Sequence, residues 1–551
     1  MKTTTSSALI ALCFIFGACS DDTVTADATI IGDGGKDAGA DVTSAEGGVD
    51  AAAALALGEF VDIEADKTGL IKGSVPVAAD HKFLAILISR DNTPVAQTDY
   101  KVGVDRGMRQ EAARPKDARG PRSSNPAKSE RQCRFAERLD ALLKSADGRR
   151  LVEPKPYRTA TTPPKVGDKR TFSIRDGGLF VTITAKAIRV DTTAVFWIDE
   201  TTQPAATIDA KDLKALGEGF TNIIVPRERI YFGKESDVDG DTLISVLLSP
   251  LVAKSSVAYV SPCDLVDPKT VPGCAASNNA ELVYLSPPSS LKPPYNTANA
   301  MLETVAHEFQ HAIYFHRKYR LNNNVTGKEN PYITEGLSAL AQDLSGYQAG
   351  NLYVVQETLN KIDLVSLPNT VDIKIDAYVP GADGVMRGAG YLVLRYLFDQ
   401  AGGDSMDAKG APVDKGGIAW LRKFVDQKET GTASAVKAAG GDFAAWSTNF
   451  WTAIALSNRV SGGKAVSKDA KFNFLGTSVD PVTGRQRGTD LFGATHAGPI
   501  TGPALQEFDK ADGKLRAGGA ELLTLSGKSK LEINITTDPV AKAILRVVRI
   551  R

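Results

Sequence analysis

His307, Glu308 and His311 stand in the string HEFQH, two histidines four residues apart with a glutamate beside the first. On a helix, residues i and i+4 lie one above the other on the same face. Two imidazoles so placed can reach one metal ion. The glutamate then points at the ion's open side, where it can take a proton from a bound water. The chain has five histidines in 551 residues, yet His307, His311 and His316 fall within ten positions. That clustering sets the pair apart from histidines that merely decorate a helix.

A catalytic metal of this kind needs a third protein ligand and one open position. Glu335, 24 residues after His311 in the segment TEGLSALAQDL, leaves room for a helix end, a loop and a return onto the ion. The small Gly336 beside it would let the helix of HEFQH and the helix of Glu335 approach each other closely. His316 is i+5 from His311, about 140° off the metal face, and is the weaker candidate. Glu303, four residues before His307, and Asp343 are candidates to orient a ligating imidazole.

Residues 297–320 contain no proline or glycine, and Leu302, Val305, Phe309 and Ile313 recur at three- and four-residue steps. The pattern predicts one helix with an apolar face. A polar loop, LNNNVTGKENP, follows it, and a second helix is expected from about Ile333.

HEFQHAIYF followed by YITEGLSALAQDL resembles the hyicolysin family of neutral zinc metallopeptidases, members of the gluzincins, whose third ligand is a glutamate. YFGKESDVDGDTLISVLLSPLV, AYVSPCD and SNNAELVYLSP upstream, and GAGYLVLRYLFDQAGG and FAAWSTNFWTAIALSNR downstream, extend the resemblance over roughly residues 210–460. It implies an α+β, zincin-type catalytic domain, one zinc, His307, His311 and Glu335 as ligands, and Glu308 as general base. Met386-Arg387-Gly388 stand where the family pattern leads one to expect a tyrosine–glycine pair, so Tyr378, Arg387 and Tyr391 are all candidates to stabilise the oxyanion. The function implied is a zinc-dependent endopeptidase acting on proteins or peptides. The alternative is a catalytically silent, surface-anchored binding lipoprotein on the same scaffold. Aminopeptidase action would need an acidic anchor for the substrate amine, and no such motif stands out.

The first 19 residues carry Lys2, an apolar run from Ala8 to Phe16, and Gly17-Ala18-Cys19. This reads as a secretory signal of the bacterial lipoprotein type, with Cys19 as the lipidation site. It predicts export from a bacterial cell, with the chain lipid-anchored to a membrane surface at the envelope or else secreted. Residues 20–58 form an acidic tether, with eight acids against one lysine over 20–50. Lys+Arg and Asp+Glu balance at 65 each, so no global charge calls for a nucleic acid. A monomer is expected.

Residues 59–206 read as a β-rich N-terminal region, interrupted by a basic linker at 101–158 with sixteen Lys and Arg against eight Asp and Glu. The linker is expected to be solvated. Residues 207–460 read as the catalytic domain and 470–551 as a C-terminal β module. Cys263 and Cys274 bracket a short proline-containing loop and are expected to form a disulfide bond, and Cys133 is left over. Asp237, Asp239 and Asp241 in DVDGDT suggest a Ca²⁺ loop, but position 248, where an EF-hand carries glutamate, is leucine. The segment is therefore read as an Asp/Gly turn opening a strand.

Overall fold

The computed structural model describes residues 55–76, 81–93, 97–103, 134–146, 151, 162–177, 179–322, 329–348, 350–368, 382–492, 500–508, 511–525 and 530–551. The signal segment, Cys19, most of the acidic tether, Cys133 and Tyr378 lie outside them.

Four strands open the described chain: β1 (Phe60–Glu64), β2 (Leu70–Pro76), β3 (Phe83–Ile88) and β4 (Gln97–Val102). Six follow: β5 (Lys169–Asp176), β6 (Leu179–Val190), β7 (Ala194–Asp199), β8 (Ile244–Leu248), β9 (Ala258–Val260) and β10 (Leu282–Leu285). Five lie near the C-terminus: β11 (Gln506–Glu507), β12 (Asp512–Arg516), β13 (Ala520–Leu525), β14 (Lys530–Thr537) and β15 (Ile544–Arg549).

The expected β-rich region 59–206 divides in two. β1–β4 join the C-terminal strands in two sheets, ordered β1-β15-β3-β13-β11 and β12-β4-β14-β2. β5–β7 instead join the catalytic region in a six-stranded sheet, β5-β6-β7-β8-β10-β9. The expected C-terminal module is likewise not self-contained, because its long strands pair with β1–β4. β3 shows why: it is antiparallel to both β13 and β15, with Ile86 opposite Leu522 on one side and Arg546 on the other. Ala85 and Leu87 pack with Ile71, Ile533 and Leu545, whereas Leu84, Ile86 and Ile88 pack into the main core. Burial on both faces explains a continuous apolar run, FLAILI, in place of alternation.

Four helices matter to the site: α1 (Arg134–Ala146), α2 (Ala298–Tyr314), α3 (Pro331–Leu344) and α4 (Ala382–Gln400). Over residues 134–146, α1 corrects the expectation of a solvated linker, and most of the rest of 101–158 lies outside the described residues. Phe135, Leu139 and Leu142, at four- and three-residue steps, are buried in the main core. The basic residues that suggested a linker flank or punctuate this apolar stripe.

α2 begins where Thr297 caps it, its side chain accepting from the Ala300 amide at 3.2 Å. The expected helix over 297–320 holds its α form to Tyr314 and then widens into a π-helical turn, Phe315–Leu321. α3 has Asn330 as cap and Pro331 in its first turn. It crosses α4 at two glycines. A Cβ on Gly336 would lie 2.5 Å from the Gly390 carbonyl carbon, so only glycine permits this approach. Among the described residues no helix is long and apolar enough to cross a membrane.

Candidate metal centre

α2 and α3 bring His307, His311 and Glu335 together. One potential ligand atom from each lies within 4.8 Å of the others, and all three side chains are buried. His307 Nε2 is 3.2 Å from Glu335 Oε2, and His311 Nε2 is 3.6 Å from Glu335 Oε1. Neither contact has hydrogen-bond alignment, so His307 Nε2 and both Glu335 oxygens are buried without a hydrogen-bond partner. A buried carboxylate left so is costly unless a cation compensates it. The donor set, two imidazoles and one carboxylate, fits a metal ion such as zinc.

Each histidine is held by α3. His307 Nδ1 lies 3.2 Å from Gln342 Oε1, and His311 Nδ1 lies 3.1 Å from Ser338 Oγ, which donates to Gln310 Oε1 at 2.7 Å. With Nδ1 carrying the proton in both rings, Nε2 of His307 is a free lone pair, and Nε2 of His311 faces the same Ser338 Oγ at 3.4 Å. Glu335, Ser338 and Gln342 stand at i, i+3 and i+7, one face of α3. That spacing is visible in TEGLSALAQ, yet the sequence reading passed over it.

The two acids expected to orient the imidazoles do other work. Glu303 Oε1 accepts from the Gly350 amide at 2.6 Å. Asp343 follows Gln342 and so points about 100° away, where Arg395 (2.7 Å), Tyr391 and the Gly488 amide occupy it. Tyr391 is thereby removed as an oxyanion donor. Its hydroxyl meets Asp343, Gln348 and Thr489. Arg387, one turn earlier on α4, does reach the centre, with Nε 3.9 Å from Glu335 Oε2. Tyr378 lies outside the described residues. His316 is buried in the π-helical turn and is not part of the ligand cluster.

Burial holds His311 down at about 3, which keeps its imidazole neutral as a ligand must be. Burial works against ionising Glu335, but the neighbouring His307, His311 and Arg387 hold its carboxyl below the ordinary value. Burial pushes Glu308 up to about 7. Glu308 Oε2 accepts from the Val260 amide at 3.0 Å, so the sheet's edge strand, β9, fixes its direction.

α1 lies over this centre. The Phe135 ring stacks on His311, with centroids 4.3 Å apart and planes 4° from parallel. Arg138 donates to the Val260 carbonyl at 3.2 Å, and its guanidinium sits 3.8 Å from the centroid of the Tyr259 ring. Beneath α1 are the turns Pro262–Leu265 and Pro272–Cys274, tied by the expected disulfide bond between Cys263 and Cys274. Nothing in the sequence reading connected Phe135 to His311.

A search of protein-family models finds none that matches the chain. A stretch of 119 residues is 33% identical to a protein named neutral metalloprotease ShpI, from Staphylococcus hyicus, and covers 20% of this chain and 26% of that protein. The match thus spans about a quarter of that relative's length. This distant, partial likeness supports a relation to metalloproteases and goes no further than the stretch it covers. The His307, His311 and Glu335 cluster could hold a metal ion.

Proposed function

We propose that the protein is a zinc-dependent endopeptidase with a zincin-type catalytic region. The observation that carries this reading is the buried, unsatisfied Nε2 of His307 and carboxylate of Glu335 beside His311, with Glu308 next in chain. His307, His311 and Glu335 would hold the zinc, which would supply Lewis acidity and lower the pKa of a water to about 7. Glu308, aimed by the Val260 amide, accepts the proton of the attacking water and returns it to the leaving amine. Arg387 is the donor best placed to face the developing oxyanion. β9 is an edge strand, and an extended peptide could pair along it. In this reading α1 occupies that edge and one face of His311, so substrate must displace it.

The same cover favours the alternative, a silent binding scaffold, only if it never lifts. Export and anchoring through Cys19 belong to the same proposal, as does a monomer that engages peptides and no nucleic acid. The test is hydrolysis of casein by the full chain and by Glu308→Gln, with metal content measured on both. A fall in rate of about 10²–10⁴ with unchanged zinc is expected. Wild-type rates in Glu308→Gln would remove Glu308 from its role, and a wild-type chain without bound zinc would favour the silent scaffold.

A further inference from the structure

The loop joining the helix Val225–Tyr231 to β8 is a second place where acids gather. Asp237, Asp239 and Asp241 each offer a carboxylate oxygen within 4.8 Å of the others. Asp239 is 7% exposed, and its Oδ1 has no hydrogen-bond partner. Its other oxygen is 3.5 Å from Arg170, whose guanidinium also donates to the Asn278 carbonyl at 3.0 Å. The Arg170 guanidinium thus pairs with one of the three carboxylates, that of Asp239. A fourth, Glu281, is buried under the loop and accepts from Ser236 Oγ and the Val238 amide. Burial, with the charge of Asp239, pushes Asp241 up to about 7, the direction expected of acids packed together without a cation.

We propose that this loop binds a divalent cation, Ca²⁺ by its donors, through Asp237, Asp239 and Asp241. All the donors are oxygens, which suits a hard cation. The acids occupy the first, third and fifth places of a calcium loop. Thr242 holds the sixth, where an EF-hand carries glycine for a sharp turn, and its φ is +64°. A β-branched residue rarely adopts that conformation. Ile244 then enters β8. Leu248 stands where the bidentate glutamate would be, which argued against calcium from the sequence alone. Its absence removes one ligand and leaves the three buried or clustered carboxylates in place. The affinity expected is therefore weak, roughly 10⁻⁴ to 10⁻³ M, the range of extracellular modules. The inference does not depend on the peptidase reading.

The test is calorimetric titration of the full, chelator-stripped chain with CaCl₂, with MgCl₂ as control, alongside thermal unfolding in both. Saturable uptake of one calcium per chain and a raised unfolding midpoint are expected. Asp239→Asn/Asp241→Asn should lose both, and Glu335→Ala should keep both. Should the double variant fail to fold, Asp237→Asn alters an exposed acid and is expected to weaken binding by about tenfold or more. No uptake by the wild type up to about 10 mM, or an unchanged isotherm in the aspartate variants, would overturn the proposal.

Discussion

At the residue scale, the centre depends on side chains that never touch the ion. Gln342 fixes the tautomer of His307 through a 3.2 Å contact in a buried setting. Gln342→Leu is expected to lower metal affinity by about 10–100-fold with the helix content intact, as metal-buffer titration would read. The HEFQH string and Glu335 were legible because i, i+4 spacing and a returning glutamate are local patterns. Gln342 and Ser338 were not, because an amide and a hydroxyl announce no metal chemistry until the histidines face them. Asp264 offers a pH test away from the centre. It accepts from the Asn278 amide and Tyr284 hydroxyl, and burial pushes it up from 3.8 to about 6. A carboxyl raised in the folded state stabilises most fully below its unfolded value, and that contribution is lost as pH rises through the folded one. Wild-type stability should therefore decline between about pH 4 and 6 relative to Asp264→Asn, as denaturant midpoints across that range would show. Parallel pH profiles would assign the decline to other groups.

At the element scale, α1 is the piece that the sequence reading missed. Its apolar stripe is only three residues long, in a segment where basic residues outnumber acids two to one, and charge masked periodicity. Its seat is also unreadable locally, since β9 and the disulfide-tied turns lie more than a hundred residues further on. Phe135→Ala takes away the ring stacked on His311 and leaves the three ligands and Glu308 in place. Peptide hydrolysis by this variant should rise several-fold over wild type, with equal zinc content. A rate unchanged or lowered in step with stability would mean that α1 supports the centre without obstructing it. The close approach expected at Gly336 was between α3 and the HEFQH helix, whereas the glycine faces Gly390 of α4. One glycine shows that a close approach is possible, and only the fold shows to what.

At the scale of the whole molecule, the alternating and apolar runs announced strands correctly but not their neighbours. β3 needs a partner on each edge, and both come from beyond residue 519. No pattern inside FLAILI says so, since pairing across such a separation is decided by which faces remain to be covered. Because β1–β4 thread between strands from the other end of the chain, the N-terminal strands are not a detachable leader. Suppose a protease recognition sequence is placed between residues 104 and 133 and then cut. Two fragments should run on a denaturing gel, yet one particle of unchanged size should elute from gel filtration, its halves laced together by six strand pairings. Separation of the fragments without denaturant would contradict the interleaving. If cutting does activate this protein, the piece set free must therefore lie between the two laced ends, and α1 lies there.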